Sequence, residues 1–541
     1  MKNTVALFLL LSGILFLTAC AKSTRNDNMA GPDGRIYSQP STAIQKSAVP
    51  PNYSNSEAPI HNTESYATIK ENDFRKVTVE PLSTFSIDVD NASYSNTRRF
   101  LLQGRFPPKD AVRIEEFINY FDYDYKAPSG KHPFSVTTEV SDCPWNEQNR
   151  LVHIGLKGKD IPKEEVPPSN IVFLLDVSGS MNAPNKLPLL KSAFKMLVSQ
   201  LSERDRVAIV VYAGASGLAL PSTSGDNKQK ILLALDALQA GGSTAGAEGI
   251  NLAYKIASDN MIKGGNNRVI LATDGDFNVG QSSDAELTRI IEKKREQGVF
   301  LSVLGFGSGN LKDSKMEQIA DNGNGNYAYI DNIKEARKVL VTEMLSTLFA
   351  IAKDVKLQIE FNPMQVSSYR LIGYENRLLN NEDFNDDKKD AGEMGVGHNV
   401  TALYEIVPTR VASTKSGTVD KLKYQEQKIK DSAASDPDIL TLKLRYKEPE
   451  GTQSKLFEVT ARDQGSTLET SSEDFRFSAA VAEFGLLLRD SKYKGKSSFK
   501  NTADLARTSI GKDKEGYRNE FLTLVEVCQS LAEAEELSAD K

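Results

Sequence analysis

The sequence predicts an α/β fold: a doubly wound, mostly parallel sheet, flanked by a β-sandwich-like and an α+β region. Three observations carry this expectation. Residues 171–175 and 269–272 are unbroken apolar runs, the pattern of strands buried on both faces of a parallel sheet. Around them, strand patterns at 206–212, 299–305 and 326–330 alternate with helical patterns at 188–201, 228–238, 246–258 and 285–297, as βαβ units require. Beyond 350, strand patterns at 355–361, 367–374, 399–407, 439–446 and 454–460 follow one another with turn signals and no helix between them. That reads as an antiparallel sandwich.

The first apolar run ends in Asp176-Val177-Ser178-Gly179-Ser180, a turn that sets one carboxylate and two hydroxyls at a strand's carboxyl end. Open α/β sheets bind ligands there. A Gly-rich loop, Gly241-Gly242-Ser243-Thr244, offers another hydroxyl, and the second run ends in Asp274-Gly275-Asp276. Every donor is a hard oxygen, which favours Mg²⁺, Mn²⁺ or Ca²⁺ over zinc. The order of the three pieces resembles the von Willebrand factor type A (VWA) domain over residues 169–347. The resemblance implies a metal-ion-dependent adhesion site. In it Ser178 and Ser180 ligate the ion directly, and Thr244 does so directly or through water. Asp176 and Asp274 hold its waters, and a protein partner's Asp or Glu enters the open position.

At the start of the chain, one lysine precedes an apolar stretch over 5–17 and then Leu17-Thr18-Ala19-Cys20. The stretch is shorter than the ~18 residues of a spanning helix and has signal-peptide layout. Its end resembles a bacterial lipobox, which implies a signal peptide over 1–20 and a lipid on Cys20. Ala21 and Lys22 follow, with no Asp second, which by the same resemblance implies the outer membrane of a Gram-negative cell envelope. Residues 21–75, rich in Ser, Asn, Pro and Thr, read as a flexible tether. Cys143 and Cys528 either pair in an oxidising compartment or stay buried as free thiols.

Residues 76–165 hold an alternating strand at 83–90, helical patterns at 92–103 and 112–120, and strand patterns at 134–140 and 150–157. The stretches STFSIDVDNASYSNTRRFL and RIEEFINYF resemble the module that precedes the VWA domain in a group of bacterial lipoproteins. Asp88 and Asp90 read as a strand end capping the next helix, and Trp145 as a packing residue. The strands at 134–157 are candidates to complete the sandwich, making the VWA domain an insertion. Residues 348–535 end in helical patterns at 475–489 and 505–535, and they resemble the same lipoprotein group.

Several function classes have little support in the sequence. The formal net charge of −6, with no basic stripe, argues against a nucleic-acid partner. The four histidines (His61, His132, His153 and His398) are scattered outside the VWA stretch, and no zinc-protease, nucleophile-elbow or phosphate-loop motif occurs. A metal-assisted hydrolase would need a base near the ion, and Asp276 is the nearest candidate. Asp383-x-Asn385-x-Asp387 begins like a calcium loop, but Lys388 stands where glycine is needed. The expectation is therefore a lipid-anchored, non-enzymatic binding protein. The rival is an assembly factor that uses the VWA domain as a docking scaffold.

Overall fold

The computed structural model describes residues 62–539 apart from 214–215, 243–245, 276, 278–283 and 413–428. A six-stranded sheet forms the stretch that resembles a VWA domain, in the order Tyr327–Ile330, Phe300–Phe306, Asn266–Thr273, Ser169–Asp176, Arg206–Tyr212 and Ser216–Ser224. All neighbours are parallel except the last pair. Val172 and Leu174 face one core and Ile171, Phe173 and Leu175 the other, so each of the central strand's faces is covered. The helices Leu187–Gln200 and Gly246–Asp259 bury their apolar stripes against the sheet.

Two further sheets make an antiparallel sandwich. One runs Arg75–Lys76, Val366–Ile372, Asn399–Pro408, Arg150–Gly158, Phe134–Asp142; in the other, Ala350–Phe361 pairs with Leu82–Ser86, Gly392–Gly395 and Asp438–Lys447, and Lys455–Arg462 lies outside. Because Arg150–Gly158 pairs with Asn399–Pro408, strands from before and after the VWA domain share a sheet. The VWA domain is inserted between them. The helices Ala92–Leu102 and Ile114–Asn119 join Glu473–Leu488 and Tyr517–Ala539 in an aromatic core around Tyr94, Phe117, Phe121, Phe484 and Phe521.

Three arginines, Arg98 and Arg113 buried and Arg377 partly so, tie the inserted domain to its surroundings. Arg98 pairs with Asp331 and Glu335, and Arg113 with Asp313 and Glu317. Arg377 contacts Asp88, Asp90, Glu317 and Asp321. Asp88 and Asp90 are therefore not helix caps: Asn91 occupies the cap position, and Asp90 accepts the Tyr327 backbone N–H at 2.7 Å. A bidentate-capable guanidinium among carboxylates outcompetes a cap as their partner. Trp145 is buried and donates its indole N–H to Glu405 at 3.0 Å. Cys143 and Cys528 are buried free thiols. Among the described residues no helix is long and apolar enough to cross a membrane.

Candidate metal centre

Asp176 and Asp274 come together because their strands do. Ser169–Asp176 and Asn266–Thr273 are parallel neighbours in register to Leu175 opposite Ala272, so both acids emerge at adjacent carboxyl ends. Neither has measurable solvent exposure (0% each). The Asp176 carboxylate organises the turn that follows: it accepts the Ser178 backbone N–H at 2.8 Å, the Thr273 hydroxyl at 3.2 Å and the Tyr212 hydroxyl at 3.3 Å. Ser178 Oγ and Ser180 Oγ stand 3.0 Å apart, the first buried and the second exposed.

The Gly-rich loop is stitched to this turn. Gly179 donates its backbone N–H to the Gly242 carbonyl at 3.1 Å, and Gly241 donates to the Val177 carbonyl at 2.8 Å. Gly242 adopts φ +84°, a conformation that favours glycine. Thr244 and Asp276 lie outside the described residues, as does Cys20.

A third segment, residues 307–312, closes the remaining side. Gly275 has φ +108°, and a Cβ there would stand 2.7 Å from the Asn310 carbonyl oxygen and from Leu311 Cα. Lys186, at the start of the helix Leu187–Gln200, donates from Nζ to Asp274 Oδ2 at 2.7 Å and lies 3.5 Å from Asn310 Oδ1. Its side chain is one-tenth exposed.

The two carboxyls are driven in opposite directions. Burial raises the pKa of Asp176, and its hydrogen bonds from Ser178 only partly offset that. Burial acts on Asp274 in the same sense, but the hydrogen bond and charge of Lys186, with help from Ser180 and Asn310, hold it below the usual carboxylate range. The described donors suit a hard divalent ion: two carboxylates that can balance charge, two neutral hydroxyls, and no thiol or imidazole. Among the described residues no three His, Cys, Asp or Glu side chains gather closely enough to hold an ion by themselves. An ion held here would therefore need the hydroxyls as ligands.

The structure brings Asp176, Ser178, Ser180 and Asp274, four residues that the sequence singles out, to one locus. Sequence reasoning missed Lys186, Asn310, Thr273 and Tyr212. Nothing in a one-dimensional pattern marks a lysine at a helix start as buried.

Comparison with known proteins agrees with this architecture. A model of the von Willebrand factor type A domain matches residues 170–341, which include both acids. A second model, described as von Willebrand factor, matches 60–153, and a third, the C-terminal region of the uncharacterized protein YfbK, matches 346–531. The uncharacterized protein YfbK of Escherichia coli (strain K12) is 45% identical over 478 residues, spanning 87% of this chain and 82% of that protein. The chain belongs to the YfbK family. More distantly, this YfbK-family chain is 28% identical over 190 residues to the uncharacterized protein sll0103 of Synechocystis, covering 35% of the chain and 43% of that protein. Among solved structures, a von Willebrand factor type A protein from Catenulispora acidiphila aligns over 72% of the chain and 89% of its own, at 16% identity and a TM-score of 0.38.

Proposed function

We propose that this chain is a lipid-anchored envelope protein whose VWA domain binds a protein partner through a divalent ion. The observation that carries the reading is the convergence of Asp176, Ser178, Ser180 and Asp274 at the carboxyl ends of two adjacent parallel strands. Mg²⁺, or Mn²⁺ or Ca²⁺, would be held by the Ser178 and Ser180 hydroxyls, with Thr244 and the two aspartates completing the set. Such an ion supplies an electrophilic position that accepts an Asp or Glu of the partner. Cys20 would carry the lipid, and of the stretch 21–75 the part before Thr63 would serve as tether, since Thr63 and Ser65 are already bonded to the 309–311 loop. The lipid would hold the protein at the outer membrane. No catalysis is assigned to it.

The scaffold reading has one observation in its favour: the Lys186 ammonium sits on Asp274 Oδ2, so the chain itself supplies positive charge at the site. Titration calorimetry of the full chain with Mg²⁺ and Mn²⁺ separates the two. The metal reading expects binding that Asp176→Ala and Ser178→Ala both abolish, with each variant still folded by circular dichroism. Silence from both the wild-type protein and its Lys186→Met variant, or partner capture that survives EDTA, would select the scaffold.

A further inference from the structure

Lys186 is built into the site rather than draped over it. The stem runs across Gly307, where a Cβ would stand 2.3 Å from Lys186 Cε and 2.6 Å from Cγ, so only glycine leaves the groove it occupies. Gly307 has φ +75°, which fits the same residue choice. The ammonium ends on Asp274 Oδ2, with Asn310 Oδ1 as a second, longer contact. Both partners of the ion pair are nearly removed from solvent, where Coulomb interactions are screened far less than at the surface.

We propose that Lys186 is the internal counter-cation of the metal centre: it holds Asp274 in the metal-free protein, and a divalent ion binds only by competing for that carboxylate. The inference rests on the metal reading above and adds a threshold to it. Two buried aspartates with no cation would repel one another and strain the turn, so the lysine keeps the empty site folded. The same positive charge opposes entry of a second cation. The site therefore fills only when divalent ion is plentiful or when an acidic partner arrives with it. An affinity set low in this way makes partner and metal bind together rather than in sequence, because each adds what the other lacks.

The test compares wild type, Lys186→Met, Lys186→Gln and Lys186→Arg in the full chain, titrated with Mn²⁺ alone, with Asp176→Ala as the non-binding control. Loss of the charge in the Met and Gln variants should tighten Mn²⁺ binding roughly tenfold or more, while Lys186→Arg stays within a few-fold of wild type. Thermal melting gives a readout independent of titration heat. Without metal, the Met and Gln variants should melt below wild type, and Mn²⁺ should raise their melting temperature by more than it raises that of wild type. Lys186→Gln keeps a hydrogen-bond donor and so covers the case in which Lys186→Met does not fold. Equal Mn²⁺ affinity in wild type and both neutral variants would overturn the counter-cation role and leave the metal reading standing. No Mn²⁺ binding by any of them, neutral variants included, would overturn both.

Discussion

Gly275 shows how much of the centre hangs on one residue. It follows Asp274 directly, and its φ of +108° lets the chain turn beneath the 310–312 backbone. Placing a methyl group there asks an L-residue to adopt a conformation costing roughly 1–3 kcal/mol. It also drives Cβ to 2.7 Å from the Asn310 carbonyl, closer than real contacts allow. Gly275→Ala should therefore destabilise the folded protein by at least that backbone cost. It should also weaken Mn²⁺ binding by displacing Asp274, although no donor atom has been removed. Chemical denaturation and calorimetry on the same sample check both, and an unchanged denaturation midpoint would contradict the crowding. The signals legible in the sequence at this scale were the acids and hydroxyls, because their types and order are tied to the chemistry. Lys186 and Asn310 were not legible: their places depend on a helix start and a loop that meet only in three dimensions.

At the scale of elements, the buried strands were readable because burial on both faces leaves a continuous apolar run. The edge strand Ser216–Ser224 was missed: it is SGLALPSTS, small, polar and interrupted by Pro221, as edges often are. The residue pattern over 334–349 suits one continuous helix, yet the structure has Ile333–Arg337, a wide π turn over Lys338–Thr342, then Met344–Leu348. Lys338 lies buried in that turn, paired with Glu343 and 4.6 Å from the Tyr120 ring centroid. The strand Arg150–Gly158 carries a second buried titratable group, His153. Its Nε2 meets the Tyr125 hydroxyl at 2.9 Å, while Nδ1 has no hydrogen-bond partner among the described residues. Burial depresses its pKa to about 4, against a smaller opposing pull from Asp474. The folded protein thus holds His153 neutral where an unfolded chain, with a pKa of about 6.5, takes up a proton. Stability from this group is complete above that value and is lost as pH falls towards 4, roughly 2 kcal/mol between pH 7 and pH 5. His398, also depressed to about 4 by burial, adds a slope of the same sign. His153→Gln should flatten the acid limb by about that amount in urea unfolding at the two pH values. An identical slope in variant and wild type would place the proton uptake elsewhere.

Across the whole molecule, the VWA domain is held rather than strung between linkers. Arg98, Arg113 and Arg377 reach from the flanking modules into carboxylates of the inserted domain, and the first described segment reaches further still. Thr63 and Ser65 donate backbone N–H groups to the Gly309 and Leu311 carbonyls at 2.8 and 3.0 Å. Ser65 also forms a parallel bridge with Lys312. Glu64 secures the join, accepting the Gly309 N–H at 2.7 Å on one oxygen and the Arg99 guanidinium at 2.9 Å on the other. The stretch read as tether therefore ends against the very loop that packs on Gly275 and carries Asn310. Sequence gave no hint of this, since residues 62–66 are polar and the pairing spans some 245 positions of chain. Removing the Glu64 carboxylate leaves the Gly309 amide and Arg99 without that partner in a half-buried setting, a change worth roughly 1–3 kcal/mol. Glu64→Ala should release residues 63–65 from the loop, and backbone amides of 309–313 should exchange with deuterium at least several-fold faster, while those of the central strand Ser169–Asp176 keep their protection. Unchanged exchange over 309–313 would mean that the backbone bridge alone holds the segment. Faster exchange would show that the Glu64 carboxylate, added to the backbone bridge, secures the 62–66 segment to the loop beside Asp274.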